Sequence, residues 1–330
     1  MRRARTQEQR AWAERVFACA IRQKTHRCRG RSHGPHALMN LITRPSLPRP
    51  SLSALQGEAG QLAVYDWDLP VSRPLGTVLL VHGLGEYAGR YGEVAAHLHQ
   101  WGFAVRAYDH QGHGQSEGQR GNLLRPGSLQ ADLCRVIDAT RQRPALKDLP
   151  LIVLGHSMGG LVVARTLAEG LGAVDAAVLS SPALGAFPNL FQKILLATLP
   201  RLVPHLCVDN GLQAEFVSRD PEVVKAYKAD ARVHRRISAG LAAWILENGE
   251  KTLHDASKWQ VPTLLLYAGQ DKLVNAQATV SFANASPPTV VQAQCFEVMY
   301  HEIFNDPDRA QVFVELKRWL LARFSAQPSA

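Results

Sequence analysis

The sequence predicts an α/β domain: a mostly parallel central sheet, helices on both faces, and a helical insertion. Three observations point there. Short apolar runs recur at Thr77–Val81, Leu151–Leu154, Ala176–Ser181 and Thr263–Tyr267, as expected for strands covered on both sides. Helical patterns alternate with several of them, which favours parallel pairing. One junction, Leu151-Ile152-Val153-Leu154-Gly155-His156-Ser157-Met158-Gly159-Gly160, passes from strand to helix through G-x-S-x-G.

That junction has the strand–turn–helix context of a nucleophile elbow. A tight turn there lifts the Ser157 hydroxyl clear of the sheet edge. Gly155 and Gly159 leave space where side chains would collide with the turn. The helix that follows aims its first N–H groups at the place where negative charge would build up.

The remaining elements follow in order. Residues 61–68 alternate apolar and polar side chains, which suits an early antiparallel strand. Thr77–Val81 feeds His82-Gly83-Leu84-Gly85-Glu86, and a helix is predicted over Tyr91–Trp101. Phe103–Tyr108 is the next strand and runs into Asp109-His110-Gln111-Gly112-His113-Gly114. Residues 127–143 read as a helix with Leu129, Leu133, Val136 and Ile137 on one face. After Ala176–Ser181 the alternation breaks: residues 185–258 hold several helical patterns and no good strand. Strands return at Thr263–Tyr267 and Thr289–Phe296, before a final helix over Pro307–Phe324. The predicted organisation is a basic, disordered extension over residues 1–50 and a core over 51–184. A helical cap over 185–258 follows, and the core resumes over 259–330.

A chain of 330 residues holds one large α/β domain with an insertion, or two small ones. No apolar run approaches the roughly 20 residues that span a bilayer. The five cysteines, Cys19, Cys28, Cys134, Cys207 and Cys295, show no C-x-x-C spacing, which favours reduced thiols and a cytosolic setting. The net charge of +9 is local. Residues 1–50 carry 12 Lys/Arg against 2 Asp/Glu, so the remainder is at −1. No nucleic-acid partner is therefore expected of the body. Three readings of the extension compete: a targeting segment, a basic patch for anionic lipid or nucleic acid, or a tail with no folded role. No apolar core of 7–15 residues follows its basic residues, which argues against a secretory signal. Cys19, Cys28, His33 and His36 fit no zinc spacing, so no metal is expected. Residues 83–89 read G-x-G-x-x-x-G rather than a dinucleotide fingerprint, and no phosphate-binding loop is present, so no cofactor is expected either.

A serine hydroxyl needs a base to take its proton and a carboxylate to orient that base. Behind an elbow of this type the chain order is serine, acid, histidine. Asp271 stands just past the strand Thr263–Tyr267, and His301 stands in the loop before the last helix, so Ser157, Asp271 and His301 are the candidate triad. His156, Asp109, His110 and His113 fit less well: the first points away across a tight turn, and the others precede the serine. The backbone N–H groups of Met158 and Leu84 are the candidate oxyanion donors. His82 and Gly83 are expected to border the substrate. In the insertion, the apolar stretch with Leu190, Ile194 and Leu195 reads either as a helix packed on the core or as a lid. A lid would line an acyl-chain pocket and touch lipid interfaces peripherally.

Four motifs together resemble the monoacylglycerol lipases and neighbouring lysophospholipase-like serine hydrolases. They are HGLGEYAGRY (82–91), YDHQGHGQSEG (108–118), GHSMGG (155–160) and YHEIFND (300–306). Residues 218–238 also resemble that family's cap, and the similarity covers roughly 55–325. The resemblance implies an α/β-hydrolase fold and a cofactor-independent hydrolase acting on the ester of a monoacylglycerol or similar single-chain lipid. It implies the same triad and the same oxyanion donors. Leu84 is bulkier than the small residue common at its position, which would narrow the pocket. A lysophospholipase, a broad carboxylesterase, a peptidase or a non-catalytic binding protein on the same scaffold are the alternatives.

Overall fold

A computed structural model describes residues 49–67, 73–185 and 199–325. Ten strands are present among them: β1 (Ser51–Gly57), β2 (Gly60–Asp66), β3 (Thr77–Val81), β4 (Ala104–Tyr108), β5 (Leu151–His156), β6 (Ala176–Ser180), β7 (Cys207–Asp209), β8 (Arg236–Ser238), β9 (Thr263–Ala268) and β10 (Val291–Phe296). Eight form one sheet in the order β1-β2-β4-β3-β5-β6-β9-β10. β1 and β2 pair antiparallel, as do β2 and β4. From β4 to β10 every pairing is parallel.

The continuous apolar runs are explained by burial on both faces. Leu79, Val81, Leu151, Val153, Ala177 and Leu179 project into one core, under helices Ser128–Arg141, Met158–Ala168, Ala239–Asp255 and Ala276–Ala285. Their alternates Val78, Leu80, Ile152, Leu154, Ala176 and Val178 project into the other, under helices Gly92–Gln100 and Ala310–Phe324. At about 1.5–3 kcal/mol for each fully buried Val, Leu or Ile, this double layer is the main force holding the sheet centre. It also fixes where strands end, because each run stops where polar or glycine residues begin.

The chain leaves β3 toward β4 on one side and returns through β5 on the other. Connections diverge at that point and open a crevice beyond the strand C-termini, where ligands bind in such sheets. His82 to Gly85 follow β3, Ser157 follows β5, Asp271 follows β9 and His301 follows β10. All four segments therefore converge on one end of the sheet.

Two parts differ from the expectation. β1 alternates only over Ser51-Leu52-Ser53-Ala54, and all four of these residues are exposed. It exists because it pairs along its whole length with β2, from Ser51↔Asp66 to Gly57↔Gly60. The insertion, expected to be free of strands, contains the ribbon β7–β8, paired from Cys207↔Ser238 to Asp209↔Arg236. Strands of three residues are too short to show a period. Helices Pro221–Ala229 and Ala239–Asp255 start at side-chain caps, with Asp220 accepting from the Glu222 N–H and Ser238 from the Leu241 N–H. The second of these buries Leu241 and Trp244 in the core that holds Leu161 to Ala164. Among the described residues, no helix is long and apolar enough to cross a membrane.

Candidate active site

β5 runs into the helix Met158–Ala168 with a single residue between them. Ser157 must reverse the chain there, and its backbone sits at φ 54, ψ −121. Such a conformation costs an L-residue about 1–3 kcal/mol and persists only where surroundings impose it. Here they do. The Ser157 N–H donates to the Ser180 carbonyl at 3.0 Å, and the Ser157 carbonyl accepts from Ala183 and Leu161 N–H groups at 3.0 Å each. A Cβ on Gly159 would lie 2.3 Å from the carbonyl oxygens of both Val81 and His82, and one on Gly155 would lie 2.6 Å from the Gly159 oxygen. These two glycines let the helix start press against the loop after β3.

His301 Nε2 lies 2.8 Å from Ser157 Oγ, and His301 Nδ1 lies 2.7 Å from Asp271 Oδ2. The other Asp271 oxygen accepts from the Leu273 and Val274 N–H groups at 2.9 and 3.0 Å. The loops carrying acid and histidine are themselves tied, Gly269 N–H to the Phe296 carbonyl and Gln270 N–H to that of Met299. A carboxylate can only accept, so the network assigns the proton to Nδ1 and leaves Nε2 to take one from the hydroxyl. Burial pulls the His301 pKa down, but the adjacent Asp271 carboxylate outweighs it and raises the pKa above the ordinary histidine value. Burial pushes Asp271 up, and the His301 imidazole with the two backbone N–H groups brings it below the usual aspartate value. A base must be unprotonated to act. The acid limb of kcat/KM is therefore expected to have its midpoint above pH 6.5, with activity lost as pH falls through it. A pH series with a soluble ester checks this, and a midpoint well below 6.5 would contradict it.

The loop after β3 lies against the serine: a Cβ on Gly83 would sit 3.1 Å from Ser157 Cβ. The Gly83 N–H is taken by Glu86 Oε1 at 2.7 Å. Among the described residues, the Leu84 and Met158 N–H groups donate to no protein acceptor, and Met158 heads a helix whose first amides lack intrahelical partners. His82 is a different matter. It is 1 % exposed, its Nε2 accepts from the His110 N–H at 2.9 Å, and its Nδ1 donates to the Gly83 carbonyl at 2.7 Å. Burial holds its pKa down at about 3. This imidazole is spent on shaping the loop and, unlike Gly83, is not among the residues that border the two spaces at Ser157.

Residues 72–308 match the family model described as serine aminopeptidase, S33. A monoacylglycerol lipase from Mycolicibacterium smegmatis is 36% identical over 271 residues, 81% of this chain and 95% of the relative. The chain belongs to the monoacylglycerol lipase family of α/β-hydrolases. The crystal structure of the Paleococcus ferrophilus monoacylglycerol lipase superposes with a TM-score of 0.70 at 31% identity, over 82% of this chain and 99% of that one. The phospholipase YtpA of Bacillus subtilis is 31% identical over 75% of this chain and 95% of its own.

Two spaces meet at Ser157 of the hydrolase. One is an open groove of about 480 Å³ that passes Met158, Ala183, Ile237, Ala242, Ile245 and Leu246, so its wall is mostly apolar. The other is a recess of about 50 Å³ with a mixed lining, Gly83, Glu86, His156, Tyr227 and Glu302 on one part and Leu212, Val217, Leu273 and Val274 on another. Leu84 stands between them and borders both. Leu190, Ile194 and Leu195 fall outside the described residues. His156 turns its Nδ1 to Ser180 Oγ at 3.0 Å, and burial lowers its pKa to about 4. Asp109 accepts from the Ala88 and Gln115 N–H groups and from the Tyr65 hydroxyl. It braces the loops, and His110 and His113 are buried behind His82. Among the described residues no cluster of His, Cys, Asp or Glu has metal-binding geometry.

Sequence reasoning missed Glu86, Arg90, Tyr227 and Glu302. Glu86 and Arg90 stand at a helical i, i+4 spacing, and Glu302 is the neighbour of His301. Both were visible as signals, but nothing local connects them.

Proposed function

We propose that the hydrolase cleaves the ester of a monoacylglycerol, releasing a fatty acid and glycerol, with Ser157 as nucleophile, His301 as base and Asp271 as its orienting carboxylate. Ser157 Oγ attacks the carbonyl carbon while His301 Nε2 takes its proton. The Leu84 and Met158 N–H groups stabilise the oxyanion, a contribution of about 2.7–4 kcal/mol per donor. The imidazolium then protonates the departing glycerol oxygen as the carbon–oxygen bond breaks, leaving an acyl-serine. Water, deprotonated by His301, attacks that ester, and the serine recovers its proton as the acid leaves. Since Asp271 holds the imidazolium, charge separation in both steps is met within hydrogen-bonding distance.

The observation that carries this reading is the meeting of a mostly apolar groove and a small recess of mixed lining, with Glu86, His156, Tyr227 and Glu302 on its border, at one serine hydroxyl. The groove is of ligand-binding size and takes an acyl chain; the recess takes a small polyol. The described part of the insertion, residues 199–258, acts as a cap over this junction. Leu202, Leu206 and Val208 are exposed on it, at 77%, 49% and 52%, and we propose that they touch lipid surfaces from which substrate is drawn.

The likeness to the Bacillus phospholipase favours a second reading, hydrolysis of a lysophospholipid. Against it stand Glu86 and Glu302 at the recess, two carboxylates balanced by the single Arg90. A phosphate there meets net negative charge. A panel of 1-monoacylglycerol, lysophosphatidylcholine, a short p-nitrophenyl ester and an aminoacyl arylamide tests this. Monoacylglycerol is expected to exceed the lysolipid in kcat/KM by about tenfold or more, equal to about 1.4 kcal/mol. Preference for the lysolipid would favour the second reading, and turnover of the arylamide alone would overturn both.

A further inference from the structure

We propose that Arg90 is a positioning residue: a buried Glu86–Arg90–Glu302 bridge locks the loop of the Leu84 amide to the loop of His301. The proposal rests on the reading of Ser157 and His301 as nucleophile and base.

Arg90 lies in the short helical turn Ala88–Tyr91. Its fork meets Glu302 on both oxygens, Nη1 to Oε1 at 2.6 Å and Nη2 to Oε2 at 2.7 Å. Nη1 also donates to Glu86 Oε2 at 2.7 Å. The remaining Glu86 oxygen accepts from the Gly83 N–H and the Tyr91 hydroxyl, each at 2.7 Å. On the other side, Asn305 Nδ2 donates to Glu302 at 2.9 Å, and the Glu302 N–H donates to the Val217 carbonyl at 2.8 Å. The side chains of Arg90, Glu86 and Glu302 are 12%, 5% and 7% exposed. One end of the bridge thus holds the residue before Leu84. The other end belongs to the residue after His301. The Tyr227 ring, 4.8 Å from the guanidinium carbon, closes the remaining side.

Buried ion clusters give little stability beyond what apolar packing of equal volume would supply. A bidentate fork supplies something packing does not, a fixed distance and angle between two loops. Here those loops carry the oxyanion donor and the base. The groups that face His301 are Asp271 from the loop after β9, His156 from the end of β5, and Glu86 and Glu302 from the bridge. Two carboxylates and one guanidinium leave the bridge one net negative charge beside the imidazole.

Arg90→Lys, Arg90→Met and Glu302→Gln of the full chain test the proposal, with Ser157→Ala as control. Lysine keeps the charge but cannot fork. It is expected to lower kcat about ten- to hundred-fold, with KM within about threefold of wild type and an unchanged thermal midpoint. Glu302→Gln removes a negative charge and should move the acid limb of kcat/KM to lower pH. Arg90→Met removes the positive charge and should move it to higher pH. A merely structural role would lower kcat in step with the thermal midpoint and leave both limbs in place. Wild-type kcat in Arg90→Lys, or limbs unmoved in the folded variants, would overturn the proposal. If Arg90→Met fails to fold, the lysine and glutamine variants decide alone. Turnover surviving in Ser157→Ala would instead refute the underlying assignment of the nucleophile.

Discussion

Ser157→Ala is expected to lower kcat for ester hydrolysis by about 10⁵–10⁶-fold, because without the hydroxyl no acyl-enzyme forms and only binding and oxyanion stabilisation remain. The same position makes a second, independent claim. Ser157 holds a positive φ of 54 that only surrounding bonds enforce. Ser157→Gly should relieve that strain. It is expected to be as inactive as the alanine variant yet more stable than that variant by up to about 2 kcal/mol, read from denaturant unfolding at constant slope. Greater unfolded-state freedom of glycine opposes the strain relief of about 1–3 kcal/mol by about 0.4–1 kcal/mol, so the net gain is smaller than the strain released. A glycine variant less stable than the alanine variant would show that the elbow is not strained. Activity within a hundredfold of wild type would show that Ser157 is not the nucleophile.

Asp271→Asn is expected to lower kcat by about 10⁴-fold while leaving the fold intact. The volume is unchanged, but an amide can present its NH₂ group to His301 Nδ1. The imidazole then takes the other tautomer and turns an N–H toward the serine hydroxyl, where an acceptor is needed. The pH profile should change too. Burial lowers the His301 pKa and the Asp271 carboxylate raises it. With the carboxylate gone, burial acts unopposed, so the residual activity should have its acid limb shifted to lower pH than in wild type. Stopped-flow turnover across pH checks both parts. Loss of less than about tenfold, with an unmoved limb, would mean that another group orients the imidazole.

Much of the architecture is legible because the sheet centre is buried on both faces. Strands β3, β5, β6 and β9 read as continuous apolar runs, and the chemistry-bearing residues stand where those runs stop. Ser157, Asp271 and His301 were readable for that reason, although 144 positions separate the serine from the histidine. Elements that owe their existence to pairing rather than burial were not readable. β1 is exposed through its first four residues, and β7 and β8 have three residues each. His82 adjoins Gly83, which borders the recess, but its ring turns inward onto the Gly83 carbonyl and the His110 N–H, an orientation that sequence does not show. In the Glu86–Arg90–Glu302 bridge, 212 positions separate Arg90 from Glu302, and although its members lie in two of the family motifs nothing in the sequence links those motifs to each other. Only the fold brings it together.

The most direct test of the mechanism is to locate the covalent bond. The full chain is treated with a long-chain fluorophosphonate, digested, and mapped by mass spectrometry. A single adduct on Ser157, forming in step with loss of esterase activity and slowed at least a hundredfold in His301→Gln, is the predicted result. Inactivation with the adduct on any other residue, or labelling of Ser157 at the same rate without His301, would contradict it.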